Sequence, residues 1–187
     1  YVNAKILVAK GTAYDVISAE SGIGPIAFDI LKIIEGAENK TYIPKETVFT
    51  AWTNILEPGK DILLPLVEKV DKNKIEAVGA ALFSGEKFSG STLLVEQTQI
   101  LLLLMDKLNK ISQFSLNLST NKNEFQQITF ITNDAKRQYT VEVNEKSKSI
   151  KCKLKVKLNV IVSSFPQKDK RKIDINALNK TISKKPS

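Results

Sequence analysis

The chain has 187 residues, no histidine and a single cysteine. The missing histidine removes the most common general base and metal ligand in proteins. One cysteine permits neither an internal disulfide nor a zinc site built on cysteine pairs. The net charge of +8 at pH 7 and the hydrophobic fraction of 42% fit a globular protein with an anionic neighbour.

The positive charge is concentrated in the last third of the chain. Residues 1–133 carry 13 Lys against 15 Asp and Glu, whereas residues 134–187 carry 15 Lys and Arg against 5 Asp and Glu. We therefore expect membrane headgroups, nucleic acid or an acidic protein next to this third. The basic segment 168–172 contains no interleaved aromatic residue, so nucleic-acid binding is not predicted.

The first part of the chain alternates one short strand with helices. The pattern predicts a strand over Val2–Ala9 and helices over Ala13–Ala19, Pro25–Glu35 and Thr47–Leu56. Gly36 is expected to end the second helix. In the third helix, Trp52 shares helical spacing with Val48 and Ile55, which predicts a place in the core.

Residues 75–106 carry the most informative pattern. The apolar run Ala77–Phe83 predicts a buried strand, and Ser84–Lys87 predicts a tight turn into a short second strand. Ser91 or Thr92 is expected to cap a helix over Leu93–Leu108. This helix is apolar enough to be wedged into a core but too short to cross a membrane.

Period-two alternation dominates the rest of the chain. It predicts strands over residues 114–118, 128–132, 139–143 and 150–160, with a turn at Asn133-Asp134. In the last strand, even-numbered residues from Ile150 to Val160 are apolar, and Cys152 is expected to be a small core residue on this face. After Gln167 the spacing is weakly helical.

The opposite face of the last strand carries the candidate membrane- or anion-facing residues Lys151, Lys153, Lys155 and Lys157. Two interpretations remain open. The lysines either lie on anionic lipid headgroups, or form a solvated face that keeps the strand from aggregating edge to edge.

These elements predict an α+β fold. A smaller α/β-like front module over residues 1–73 precedes a C-terminal domain over residues 74–187, in which a helix packs on a largely antiparallel sheet. The polar segment Val70–Lys74 marks the predicted boundary.

Three blocks of sequence resemble the Ger(x)C family, the C subunits of spore germinant receptors in Gram-positive bacteria. One family pattern consists of G-x-A-x-F, a later glycine, and a helix that begins with a segment containing Glu and Thr. It is matched here by Gly79, Ala81, Phe83, Lys87, Gly90, Glu96 and Thr98. Residues 57–65 resemble the family segment P-G-x-D-x-x-L-P, and Ile6–Gly11 resembles its opening strand. The blocks occur in family order over residues 6–106.

The resemblance implies a non-catalytic lipoprotein subunit of a nutrient germinant receptor. Such a subunit is tethered to the extracytoplasmic face of the spore inner membrane by an N-terminal cysteine that carries lipid, including palmitate. It acts beside integral-membrane subunits of the A and B type. Cys152 lies in the middle of a strand and is not that cysteine, so we expect the family's N-terminal segment to be missing here. The family tends to end in a long helix, and Lys172–Ile182 gives only a short one, so we expect a C-terminal segment to be missing as well.

Two other functions are weighed against this one. A binding module could hold a small germinant directly in a cleft between the two modules, although no sequence feature marks a pocket. An enzyme is not predicted, because the sequence lacks histidine, a nucleophile motif and a metal constellation. No cofactor is predicted.

Overall fold

A computed structural model describes residues 3–20, 24–108, 112–117, 127–145 and 148–164. The elements in chain order are β1 (Val8–Ala9), α1 (Ala13–Ile17), α2 (Ile26–Asn39), α3 (Val48–Leu56), β2 (Ile62–Asp71), β3 (Lys74–Ser84), β4 (Lys87–Leu94), α4 (Val95–Leu104), β5 (Ser112–Asn117), β6 (Gln127–Asn144) and β7 (Ser149–Ser164). Strands β1 to β4 form one sheet in that order, and β5 to β7 form a second. The predicted α+β class is confirmed.

The first sheet runs across the predicted domain boundary. β1 lies parallel to β2, and β2, β3 and β4 are antiparallel to one another. Residues 71–74 form the turn between β2 and β3, whose strands pair from Ile62 opposite Phe83 to Asp71 opposite Lys74. Chain from both sides of residue 73 therefore shares this sheet, and the division into domains 1–73 and 74–187 stays a prediction.

Helix α2 passes through the glycine that was expected to end it. Gly36 lies inside α2, which continues to Asn39. The added turn buries Ala37 and Glu38, and the Nζ atom of Lys5 donates to both carboxylate oxygens of Glu38 at 2.6 Å. These tertiary contacts outweigh the low helix propensity of one glycine, which costs about 1 kcal/mol.

Helix α3 turns its tryptophan outward, so the prediction of a core Trp52 is wrong. The side facing the sheet carries Ala51 and Ile55, which pack with Ile62 and Leu64 of β2. Trp52 is 59% exposed. Hydrophobic spacing places a residue on a helix but does not decide which of two apolar stripes meets the sheet.

The entry into α4 also differs from the prediction. Ser91 and Thr92 lie within β4, where Thr92 pairs with Ala81 of β3, and so neither caps the helix. The backbone N–H of Leu94 donates instead to Oε1 of Gln97 at 2.9 Å. Both residues belong to β4, which pairs with the buried strand β3, and the helix therefore begins only at Val95.

Helix α4 connects the two sheets. Leu102 of α4 is buried against Leu63 and Ala80 of the first sheet. The side-chain amide of Gln99 donates to the Gln113 carbonyl of β5 at 2.8 Å and to the Lys40 carbonyl at the end of α2 at 3.4 Å. Buried polar groups of this kind fix orientation, because a shifted packing would leave them without hydrogen bonds.

The second sheet is a long hairpin with a short third strand. Phe114 of β5 stacks on Phe130 of β6, with ring centroids 5.6 Å apart. The turn predicted at Asn133-Asp134 is wrong, because β6 runs unbroken for 18 residues and the register shifts there as a bulge. The Thr132 hydroxyl donates to the carbonyls of Asp134 (3.1 Å) and Asn159 (2.8 Å), which holds the bulge within the sheet.

Several predictions from the end of the chain lie outside the described residues. They are the basic segment 168–172 and the helical spacing after Gln167.

Gly79 has a backbone conformation and surroundings that only glycine satisfies. Its φ is +137°. A Cβ atom placed there would lie 1.9 Å from the carbonyl oxygen of Leu93 in the neighbouring strand β4. The first glycine of the G-x-A-x-F pattern thus permits the close approach of β4 to β3 that leads the chain into α4.

We predict that Gly79→Ala lowers the free energy of unfolding by about 3 kcal/mol, because backbone atoms of β4 cannot move away without breaking the strand pairing. The matched control is Gly36→Ala, since nothing lies within 4 Å of a Cβ there. It should stabilise the protein by about 0.5–1 kcal/mol. Urea unfolding of both variants measures the difference, and equal effects would contradict this role for Gly79.

Candidate functional site

The four candidate lysines lie on one face of the β6–β7 hairpin. In the register of the hairpin, Lys151, Lys153, Lys155 and Lys157 of β7 stand opposite Glu142, Thr140, Gln138 and Lys136 of β6. Alternate residues of a strand point the same way about 7 Å apart, so these four ammonium groups form one row. We call this surface the lysine face.

The lysine face contains little compensating negative charge. Among the described residues, its single ion pair joins Lys153 Nζ to Glu142 Oε1 at 3.5 Å, with both side chains more than half exposed. Exposed pairs of this kind contribute about 1 kcal/mol or less. The row therefore repels itself and attracts anions, and its contact with a membrane stays a prediction.

The opposite face of the same hairpin is apolar and largely uncovered. It consists of Tyr139, Val141 and Val143 of β6 and Ile150, Cys152, Leu154, Val156 and Leu158 of β7. Val143 is 65% exposed and Ile150 is 70% exposed. We call this surface the apolar face.

Cys152 lies on the apolar face, and the prediction that it is a buried core residue is wrong. Its strand alternates as predicted, but no described element packs over this end of the hairpin. Alternation identifies the apolar side of a strand without showing whether another layer covers it.

The middle of the hairpin is attached to the end of α4. The guanidinium of Arg137 is buried and forms an ion pair with Asp106, which follows the helix. The Tyr139 hydroxyl donates at 2.7 Å to the carbonyl of Leu104, which is the last residue of α4. These contacts fix the middle of the hairpin and leave the tip, around residues 141–152, projecting beyond the helix.

A small cleft lies between α2 and the β2–β3 turn. Its volume is about 280 Å³. The lining combines apolar, acidic and basic side chains, namely Glu20, Ile26, Asp29, Lys32, Ile33, Asn73, Lys74 and Ile75. Both signs of charge therefore face one concave surface, as recognition of a zwitterion requires. Sequence reasoning missed it because Glu20 and Lys74 are far apart in the chain.

The charges at the rim of the cleft are already partly organised. Nζ of Lys74 lies 2.5 Å from Oε1 of Glu76, and this hydrogen bond raises the pKa of Lys74. When its side-chain amide is oriented to satisfy its neighbours, Asn73 donates to Glu20 Oε2 at 3.2 Å. Lys74 is thus paired with Glu76, and Glu20 is tied to the β2–β3 turn.

The described residues contain no group of three or more His, Cys, Asp and Glu side chains placed to hold a metal ion. Within the same residues, no helix has the length and apolar character needed to span a bilayer.

Two family models match consecutive parts of the chain. The spore germination protein N-terminal domain matches residues 2–69, and the C-terminal domain described as spore germination B3/GerAC-like matches residues 78–186. This chain belongs to the spore germination B3/GerAC-like family. These matches confirm the resemblance seen in residues 6–106. They also extend the family to the β-rich residues after 110, where the sequence had matched no family block.

A solved structure has the same fold as this GerAC-like chain. The crystal structure of the GerBC protein aligns with a TM-score of 0.63 at 19% sequence identity, covering 93% of this chain and 47% of that one. The chain thus spans about half the length of the solved protein. Among curated proteins, none matches it at a significant level.

We predict that Lys155→Glu stabilises the protein by about 0.5 kcal/mol at low ionic strength, because a carboxylate between Lys153 and Lys157 replaces repulsion with attraction. The gain should vanish in about 1 M salt, where the Debye length is about 3 Å. Lys87→Glu, on an exposed position of β4, is the matched control. Denaturant unfolding at both salt concentrations tests this, and a gain independent of salt would contradict the electrostatic explanation.

Proposed function

We propose that this chain is part of a non-catalytic lipoprotein subunit of a nutrient germinant receptor. The observation that carries the proposal is the ordered match of both spore germination domains to residues 2–69 and 78–186. The fold shared with GerBC supports it. In this proposal the subunit lies on the extracytoplasmic face of the spore inner membrane and contacts integral-membrane subunits of the A and B type.

The membrane tether in this proposal is an N-terminal cysteine carrying a diacylglyceryl group. Cys152 is not suited to that role because it lies within strand β7, where a lipid chain would have to leave from the middle of the hairpin. The role is structural: the subunit supports assembly or signalling after nutrients are sensed. The absence of histidine from the sequence supports a role without acid–base catalysis.

The experiment is an intact-mass measurement on the native full-length protein extracted from spore membranes, together with its co-purification. We expect a mass excess of a diacylglyceryl group on an N-terminal cysteine, and recovery of A-type and B-type subunits with it. A serine variant of that cysteine is the control and should move the protein to the soluble fraction. An unmodified native protein in the soluble fraction would contradict the proposal.

A second candidate function is direct binding of a small zwitterionic germinant, such as an amino acid. The cleft beside α2 favours it, because acidic side chains (Glu20, Asp29) and basic ones (Lys32, Lys74) line a volume that fits a small amino acid. An ammonium group would lie towards the carboxylates and a carboxylate towards the lysines. The apolar lining would receive the ligand side chain.

We predict for this second candidate that amino acids raise the melting temperature of the chain by about 5–10 °C at about 100 times Kd, since a ligand of the native state stabilises it by about 2.7 kcal/mol there. Lys32→Met should abolish the shift, and Lys45→Met, an exposed lysine outside the cleft, should preserve it. An equal shift in both variants would exclude this cleft, and no shift with any amino acid would exclude the candidate.

A further inference from the structure

The outer edge of β7 is a long unpaired strand edge within the described residues. The second sheet has the order β5-β6-β7, so β7 pairs with β6 on one side alone. Along its 16 residues, alternate backbone N–H and C=O groups point away from the sheet. Such an edge is a template for another strand.

Among the described residues, the lysine face beside this edge has little negative charge near it, and the apolar face has no layer packed over its tip. On the paired strands from 136 to 157 the lysine face has a single acidic side chain, Glu142, and the other described acidic residue of this range, Glu145, lies in the turn at the tip. The apolar face exposes Val143 and Ile150 to solvent by 65% and 70%. The same stretch of β7 therefore needs negative charge on one side and apolar cover on the other.

We propose that the edge of β7, over residues 150–158, binds an extended segment of a partner protein in which acidic and apolar residues alternate. The segment pairs with β7 as an added strand. Its acidic side chains then lie beside the lysine face, and its apolar side chains extend the apolar face next to Ile150 and Leu154. The inference rests on the hairpin and does not depend on the proposed receptor function.

Charge complementarity decides against two other occupants. The tail of this chain, residues 165–187, carries 7 Lys and Arg against 2 Asp and Glu, and so adds like charge to the lysine face. A second copy that pairs β7 with β7 about Leu154 sets Lys153 beside the other copy's Lys155. Like charges directly opposite in a sheet are destabilising.

The geometry also favours a strand over a membrane surface. The lysine face and the apolar face point in opposite directions, because odd and even residues of β7 alternate across the sheet. A flat bilayer can contact one of these faces and leaves the other in water. The side chains of a strand added at the edge lie beside both faces at once. Its backbone also forms hydrogen bonds with the unpaired N–H and C=O groups of β7.

The test uses the full 187-residue chain and a short fluorescent peptide that alternates glutamate with valine or isoleucine. We expect saturable binding that weakens with salt, measured by fluorescence anisotropy. The double variant Lys153→Glu with Lys155→Glu should weaken binding about tenfold or more. Its matched control, Lys45→Glu with Lys87→Glu, makes the same change in net charge at exposed lysines outside the hairpin and should bind like the original chain.

Two further arms separate strand pairing from simple charge attraction. A peptide of the same composition in scrambled order, and a peptide with lysine in place of glutamate, should both fail to bind. Ile150→Thr should weaken binding of the alternating peptide, because it removes apolar contact from an exposed position without lowering strand propensity. Circular dichroism confirms that each variant is folded, and the peptide controls retain their meaning even where a variant is not.

Several results would overturn the proposal. They are binding of the scrambled peptide equal to that of the alternating one, binding unaffected by the double lysine variant, and no binding of any peptide. Attachment to phosphatidylserine vesicles that is lost in the double variant, without peptide binding, would assign the lysine face to a membrane instead. Dimerisation of the chain through β7, or competition by its own tail segment, would assign the edge to those occupants.

Discussion

The fold depends on a buried polar junction where α4 meets both sheets. The Gln99 amide donates to the carbonyls of Gln113 and Lys40, and the hydroxyls of Thr41 and Ser112 lie 2.8 Å apart. The second half of α4, Ile100–Leu104, is apolar on all sides, so apolar contact by itself would allow the helix to rotate or slide between the sheets. The hydrogen bonds remove that freedom, because each alternative position leaves buried donors or acceptors unsatisfied.

This junction also explains why the β6–β7 hairpin presents two exposed faces. The middle of the hairpin is held to the end of α4 by Arg137 and Tyr139, and the stacked Phe114–Phe130 pair joins β5 to β6. A helix of ten residues is about 15 Å long, whereas the 16 residues of β7 extend for about 50 Å. The tip therefore lies beyond the reach of the helix, and its lysine and apolar faces are both exposed among the described residues.

The elements themselves were largely predictable, and the errors share one cause. Strand β3, helix α3 and the alternation of β7 follow from local periodicity, and the structure contains each of them. Ser91 and Thr92 were assigned to a helix cap and lie in a strand, because pairing with β3 is a long-range contact that propensity does not report. Trp52 and Cys152 were placed in the core, but a hydrophobic pattern says nothing about whether a second layer is present to cover it.

The sequence by itself determined the α+β class, the family and the lysine row, because these follow from periodicity, ordered motifs and charge along one strand. Tertiary structure alone decided that Gly79 must lack a side chain, since the clash involves the carbonyl of Leu93 in another strand. It likewise brought Glu20 and Lys74 to one cleft and, within the residues that the structure describes, left the edge and both faces of β7 open. These features depend on distances between residues remote in the chain, which local patterns of hydrophobicity and charge do not encode.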